Sequence, residues 1–123
     1  MTELTVFAEN LRKYETFVLI SHVSIDGDTL GSAAALSFIL DQMGKKCFWV
    51  GSGGISHELS AFPELMQLTE RPRIEKPQAA IAVDCADMER MECNKQHFQG
   101  AQAHFVIDHH KTNAGFGDWN YIR

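Results

Sequence analysis

At 123 residues and 13.8 kDa the chain has room for one domain built on a single core. Its 45% hydrophobic and 22% charged content excludes a disordered chain, and no apolar run approaches the roughly 20 residues that a membrane span needs. The net charge of −5 excludes a broad footprint on extended duplex nucleic acid, which relies on clustered Lys and Arg, but it admits a short nucleotide held through cations. Met1-Thr2-Glu3-Leu4 lacks the basic start and apolar stretch of a secretory signal. Cys47, Cys85 and Cys93 follow no zinc-like spacing and read as reduced thiols, the first two in the core, so a cytoplasmic location is expected.

In chain order, Leu4, Phe7, Leu11 and Tyr14 recur at helical spacing and predict an amphipathic helix over 3–14. Phe17 to Ser21 is a short apolar run and predicts a buried parallel strand. Thr29 is placed to cap a second helix running to Met43, with Gly44 as its stop. A strand is expected over Lys45–Val50, then a loop at Gly51-Ser52-Gly53-Gly54. A short helix over Ser60–Leu68 is interrupted near Pro63, and Pro72 and Pro77 mark irregular chain. A strand over 79–83, a helix over 88–98 and a strand over 103–107 complete the pattern. Strands alternating with helices predict an α/β fold, a doubly wound parallel sheet with helices on both faces.

Three of the strands run into ligand-rich chain. Phe17–Ser21 leads to His22-Val23-Ser24-Ile25-Asp26-Gly27-Asp28, Ala80–Val83 leads to Asp84, and Phe105-Val106-Ile107 leads to Asp108-His109-His110. Loops at the carboxyl ends of parallel strands gather in one crevice, so these groups are expected to meet as a carboxylate-and-imidazole cluster suited to divalent metals. The spacing places His22 and Asp26 on one ion and Asp28 on a neighbouring one, with Asp84 able to bridge and His109 adding a nitrogen. Such mixed ligation suits Mn²⁺ better than Mg²⁺. Any one of these residues alone would read as a turn former, a helix cap or a structural histidine. His57, His97 and His104, the Asp87–Arg90 pair and both tryptophans are read as structural. Gly51–Gly54 is a weak phosphate-loop signal because no Lys-Ser or Lys-Thr follows it.

These motifs, His22-x-x-x-Asp26-Gly27-Asp28 with Thr29-Leu30-Gly31-Ser32, Val83-Asp84, and Ile107-Asp108-His109-His110, resemble the DHH phosphoesterase superfamily over about residues 4 to 123. The D-G-D-x-x-G-S form and the tail Asn113-x-x-Phe116-Gly117-Asp118-x-Asn120-Tyr121 resemble the branch of nanoRNases and 3′-phosphoadenosine-5′-phosphate phosphatases. The resemblance implies an N-terminal metal-binding catalytic domain spanning 1–123. It implies two Mn²⁺ ions, with Mg²⁺ or Co²⁺ as substitutes. His22, Asp26 and Asp84 would hold one ion, and Asp28, Asp84 and His109 the other. His110 would contact the scissile phosphate, and Asp108 would orient the histidines. The implied substrate is a short oligonucleotide or a nucleoside bisphosphate, with no membrane partner and with a homodimer left open.

Two departures accompany the resemblance. Ile25 stands where branch members often have Pro, which changes loop stiffness but removes no ligand. The family carries a further metal-binding Asp and a second, substrate-binding domain beyond this point, so the chain is expected to be truncated before both. Two-metal hydrolysis by an activated water is the leading expectation, since no serine sits in a nucleophile elbow. A metal- or phosphate-binding module without catalysis, an exonuclease of this superfamily acting on single-stranded DNA, and ordinary cap chemistry in a flavodoxin-like binding domain stand beside it.

Overall fold

The computed structural model describes residues 3–21, 27–51 and 59–123, with the side chains of Gly27 and Asp28 outside that description. Five parallel strands form one sheet in the order β2-β1-β3-β4-β5. They are β1 (Thr16–Ile20), β2 (Lys46–Val50), β3 (Ala79–Val83), β4 (Ala103–Asp108) and β5 (Trp119–Ile122). The helices are α1 (Glu3–Leu11), α2 (Gly27–Gln42), α3 (Pro63–Glu70) and α4 (Lys95–Gly100), with 3₁₀ segments at Leu59–Ala61 and Met88–Asn94. Among the described residues no helix is long and apolar enough to cross a membrane.

Alternation along the strands supplies a core on each face. Phe17, Leu19, Ile81 and Phe105 point to the face covered by Phe7 and Leu11 of α1 and Leu40 of α2. Val18, Ile20, Ala80, Ala82 and Val106 point to the other, covered by Met91 and by Phe98 of α4. The doubly wound expectation therefore holds. The central strands are so deeply buried that all five residues of β3 are apolar and inaccessible, as a sheet covered on both sides demands. Helix α3 packs across α2 through Leu65, Leu68, Leu30 and Ala34.

Several expectations are corrected. The helix expected over 88–98 is instead a 3₁₀ segment, Met88–Asn94, followed by α4, and Glu92 inside the first takes a positive φ (47°) that kinks it. Helix α1 stops at Leu11, and Tyr14, outside it, packs edge-on against Phe105. Thr29 is not the cap of α2, which already begins at Gly27. Strand β5 has no counterpart in the sequence reading: its four residues are all only half-buried and no helix precedes it, so neither hydrophobic run nor βαβ rhythm announces it. It follows β4 through a ten-residue crossover (109–118) in which Gly117 is essential, since a β-carbon there would sit 2.9 Å from Val106 Cγ2 and 3.0 Å from the His104 carbonyl. Gly44 ends the chain leaving α2 with a φ of 77°, as its expected stopping role requires.

The ends of α2 and α3 are strapped together by Arg71, whose guanidinium grips Asp41 through both oxygens (2.9 and 2.5 Å). Its hydrogen bonds hold the Asp41 carboxyl below the ordinary value of 3.8. A depressed folded-state pKa contributes stability that is present above that ordinary value and lost as pH falls through the folded one. Denaturant unfolding at about pH 5 and about pH 3 is expected to show a larger acid loss for the wild type than for Asp41→Asn; equal losses would show that the strap adds nothing.

Candidate metal centre

The strand order reverses between β1 and β3, so the chain leaving β1 travels to one side and the chain leaving β3 to the other. The crevice left at their carboxyl ends is the place where such sheets take ligands. Asp84 stands there as the first residue after β3. Its backbone is left-handed (φ 55°), a conformation that Asp tolerates better than most residues, and its N–H donates to the Ile107 carbonyl at 2.9 Å. Both carboxylate oxygens are engaged: Oδ2 accepts from the Thr29 hydroxyl at 2.7 Å, and Oδ1 lies 2.8 Å from His109 Nε2.

Asp108 closes β4. Its carbonyl accepts from the Arg123 N–H at 3.0 Å, beside the pairing of Asp108 with Ile122. Its side chain is wholly buried (0% exposed). Oδ1 accepts from His110 Nδ1 at 2.6 Å and Oδ2 accepts from Asn113 Nδ2 at 2.8 Å. Burial alone would raise this carboxyl's pKa, but hydrogen bonds from Asn113, His110 and the His109 backbone outweigh it and hold Asp108 below 3.8. An ionised carboxylate can only accept, so His110 carries a proton on Nδ1, and its Nε2 has no partner among the described residues.

Asp84, Asp108, His109 and His110 each offer a ligand atom within 4.8 Å of the others. These four do not play one role. Asp108 has both oxygens hydrogen-bonded within its own turn and orients His110, whereas Asp84 Oδ1 faces the exposed His109. The 2.8 Å between Asp84 Oδ1 and His109 Nε2 fits the roughly 3 Å between neighbouring ligands of an ion with bonds of about 2.1 Å. The donor set of hard oxygen and imidazole nitrogen suits a first-row divalent ion. His109 is 72% exposed and His110 40% exposed, so this side of the cluster is open to an incoming molecule. An open cavity of about 260 Å³ adjoins it, walled by Ser32, Ile107, Tyr121 and Arg123 as well as by Asp84 and His109.

Of the residues singled out by sequence, the structure thus brings together Asp84, Asp108, His109 and His110. His22 and Asp26 lie outside the described residues, and Asp28 is described only by its backbone in the first turn of α2. Thr29, in that same turn, reaches Asp84 and so places the start of α2 at the crevice. Sequence reasoning missed Thr29 and Asn113 as site residues. In the sequence Thr29 reads as a helix cap and Asn113 only as a member of a family-like tail, so neither carries a site role there.

Of the residues read as structural, His57 lies outside the described residues, as do Ser52-Gly53-Gly54 of the glycine-rich loop, and the others pack or pair locally. His104 Nδ1 pairs with Asp118 Oδ2 at 3.0 Å and its ring rests on Phe98. His97 sits in α4 with its pKa lowered by burial and by Arg73. The Arg90 N–H donates to Asp87 Oδ1, and Trp49 donates its indole N–H to Ser21. Trp119 stacks on Phe105. Cys47 and Cys85 are buried thiols whose pKa burial raises to about 11 in each.

Two comparisons bear on this architecture. The fold matches the solved structure of an exopolyphosphatase-related protein from Bacteroides fragilis with a TM-score of 0.83 and 19% identity, over 98% of this chain. The chain spans 38% of that protein's length. The likeness is one of fold. The family model described as "DHH family, N-terminal domain" matches residues 16–122, from the first residue of β1 to the last of β5. Since that match takes in all three strand termini and the Asp108-His109-His110 turn, the chain belongs to the DHH family.

Proposed function

We propose that this domain hydrolyses phosphate esters, with divalent cations held by Asp84 and His109 together with His22, Asp26 and Asp28. The observation that carries the reading is the convergence of Asp84, Asp108, His109 and His110, from two separate strand ends, within 4.8 Å at the switch point of the sheet. Asp26 and Asp28, brought beside Asp84 and Asp108 as the motif spacing expects, would repel them unless cations were present, so the acidity of the motifs itself favours metal. Family membership and the mixed oxygen and nitrogen donors support two Mn²⁺ ions as the metal, with Mg²⁺ or Co²⁺ as substitutes.

In the mechanism, bound divalent ions would supply Lewis acidity and an attacking water deprotonated near neutral pH. The chain's own groups do the rest. Asp84 presents a carboxylate fixed by Thr29, so its geometry is set before any ligand arrives. His110, held through Nδ1 by the buried Asp108, would offer Nε2 to the phosphoryl oxygens and stabilise the charge that develops on them. The D-G-D-x-x-G-S form of the first motif supports a short oligoribonucleotide or a nucleoside bisphosphate as the substrate. The net charge of −5 weighs against a processive exonuclease on single-stranded DNA. Free, buried thiols favour a reducing, cytoplasmic setting.

Protein stripped of metal and then given Mn²⁺ is expected to regain turnover of a short oligoribonucleotide or a bisphosphonucleotide. Asp84→Ala is expected to lower that activity by more than the roughly 10–100-fold typical of residues that only support a ligand; unchanged turnover in that variant would eliminate the mechanism. Melting temperature provides a reading independent of turnover. Mn²⁺ that binds the folded state should raise it for the wild type and less so for Asp84→Ala, and a wild-type melting curve indifferent to Mn²⁺, Mg²⁺ and Co²⁺ would refute a metal centre.

A further inference from the structure

We infer that Asn113 is a positioning residue for this reaction, its side-chain amide locking Asp108 in the orientation from which that carboxylate aims His110. The inference rests on the hydrolase reading above and adds to it a residue outside the metal and phosphate contacts.

All three bonds of the amide have fixed polarity. Nδ2 donates to Asp108 Oδ2 at 2.8 Å and to the Cys85 carbonyl at 3.2 Å, while Oδ1 accepts from the Gly115 N–H at 2.8 Å. Carboxylate and carbonyl partners can only accept and a backbone N–H can only donate, so one orientation of the amide satisfies them all. Gly115 takes a φ of 81°, the backbone that a glycine adopts freely, and this turn delivers its N–H to Asn113.

The consequence for His110 follows from the other oxygen. Asp108 is a wholly buried carboxylate joined to its chain by rotatable bonds. With Oδ2 fixed on Asn113, Oδ1 must face His110 Nδ1, where the structure has it at 2.6 Å. The bond to Cys85 adds a second effect. Cys85 directly follows Asp84, so one amide spans the strand end that carries the metal-binding carboxylate and the strand end that carries the histidines. That bond ties the turn after β4 to the chain leaving β3, whose spacing the β3–β4 pairing already sets.

The test compares wild type with Asn113→Ala, reading kcat, KM, Mn²⁺ affinity and the ¹⁵N NMR signal of the His110 ring. The expected result is a kcat lowered by about 10–100-fold, with KM and Mn²⁺ affinity unchanged and with the His110 Nδ1–H resonance displaced. Unaltered kcat in a folded variant would overturn the inference. So would a parallel loss of Mn²⁺ affinity and activity with the His110 resonance unmoved, the mark of a loop staple. If Asn113→Ala does not fold, Asn113→Asp keeps the shape and replaces the donor with a second carboxylate, and the same displaced resonance and kcat-only loss are expected of it. If the wild type shows no Mn²⁺-dependent turnover, the hydrolase reading fails, and the His110 resonance alone decides: displacement in the variant upholds the positioning contact and its absence rejects it.

Discussion

The interaction on which the site depends is the burial of the Asp108 carboxylate among donors from its own turn. An ionised carboxyl withdrawn from water costs several kcal/mol unless hydrogen bonds replace its hydration. Here they come from His110, from Asn113 and from the His109 backbone, with a net effect that keeps the group ionised despite burial. That requirement fixes the path of the chain after β4. The turn cannot relax without stranding a buried charge, so the backbone that carries the two exposed histidines is tied to the interior.

The sheet determines where that turn is placed. β4 pairs with β3 on one side and β5 on the other, and the Arg123 N–H donates to the Asp108 carbonyl where β5 ends. β3 in turn delivers Asp84 beside it, with a left-handed backbone and an N–H fastened to the Ile107 carbonyl. The two carboxylates are therefore neighbours because two strands are neighbours in register. β1 lies on the far side of β3, and Thr29 at the start of α2 reaches across to Asp84. Strand pairing, itself driven by the apolar layers on both faces, sets the separations between groups that lie far apart in sequence.

How much of this was legible beforehand follows from what each feature leaves in the sequence. Fully buried strands such as Ala79–Val83 and Phe17–Ile20 are uninterrupted apolar runs and stand out. The convergence of Asp84 with Asp108-His109-His110 also follows, once the strands are taken as parallel, because all carboxyl ends then face one way. β5 does not stand out, since an edge strand of four half-buried residues needs no hydrophobic run. Glu92 interrupts a pattern that reads as one helix, and its left-handed backbone has no compositional signal. Thr29 reads as a cap because hydroxyl residues before helices usually are caps; its use as a donor to Asp84 depends on a partner 55 residues away. Asn113 is legible only as the first residue of a family-like tail, because its partners on Asp108 and Cys85 depend on the fold.

The two adjacent histidines divide the work by their closest partners. Their rings lie side by side, 4.7 Å apart, at the end of β4. His110 Nδ1 bonds Asp108 at 2.6 Å and lies 3.8 Å from Asp84, whereas His109 Nε2 bonds Asp84 at 2.8 Å. A carboxylate followed by two imidazoles therefore makes two different devices from three residues. One imidazole is oriented from within the protein through one ring nitrogen, and the other is directed at a carboxylate contributed by another strand. Exchanging His109 for Asp and Asp108 for His would keep the same three donors and lose both devices, because the acid would then lie on the exposed side and the buried position would hold a ring in place of a charge.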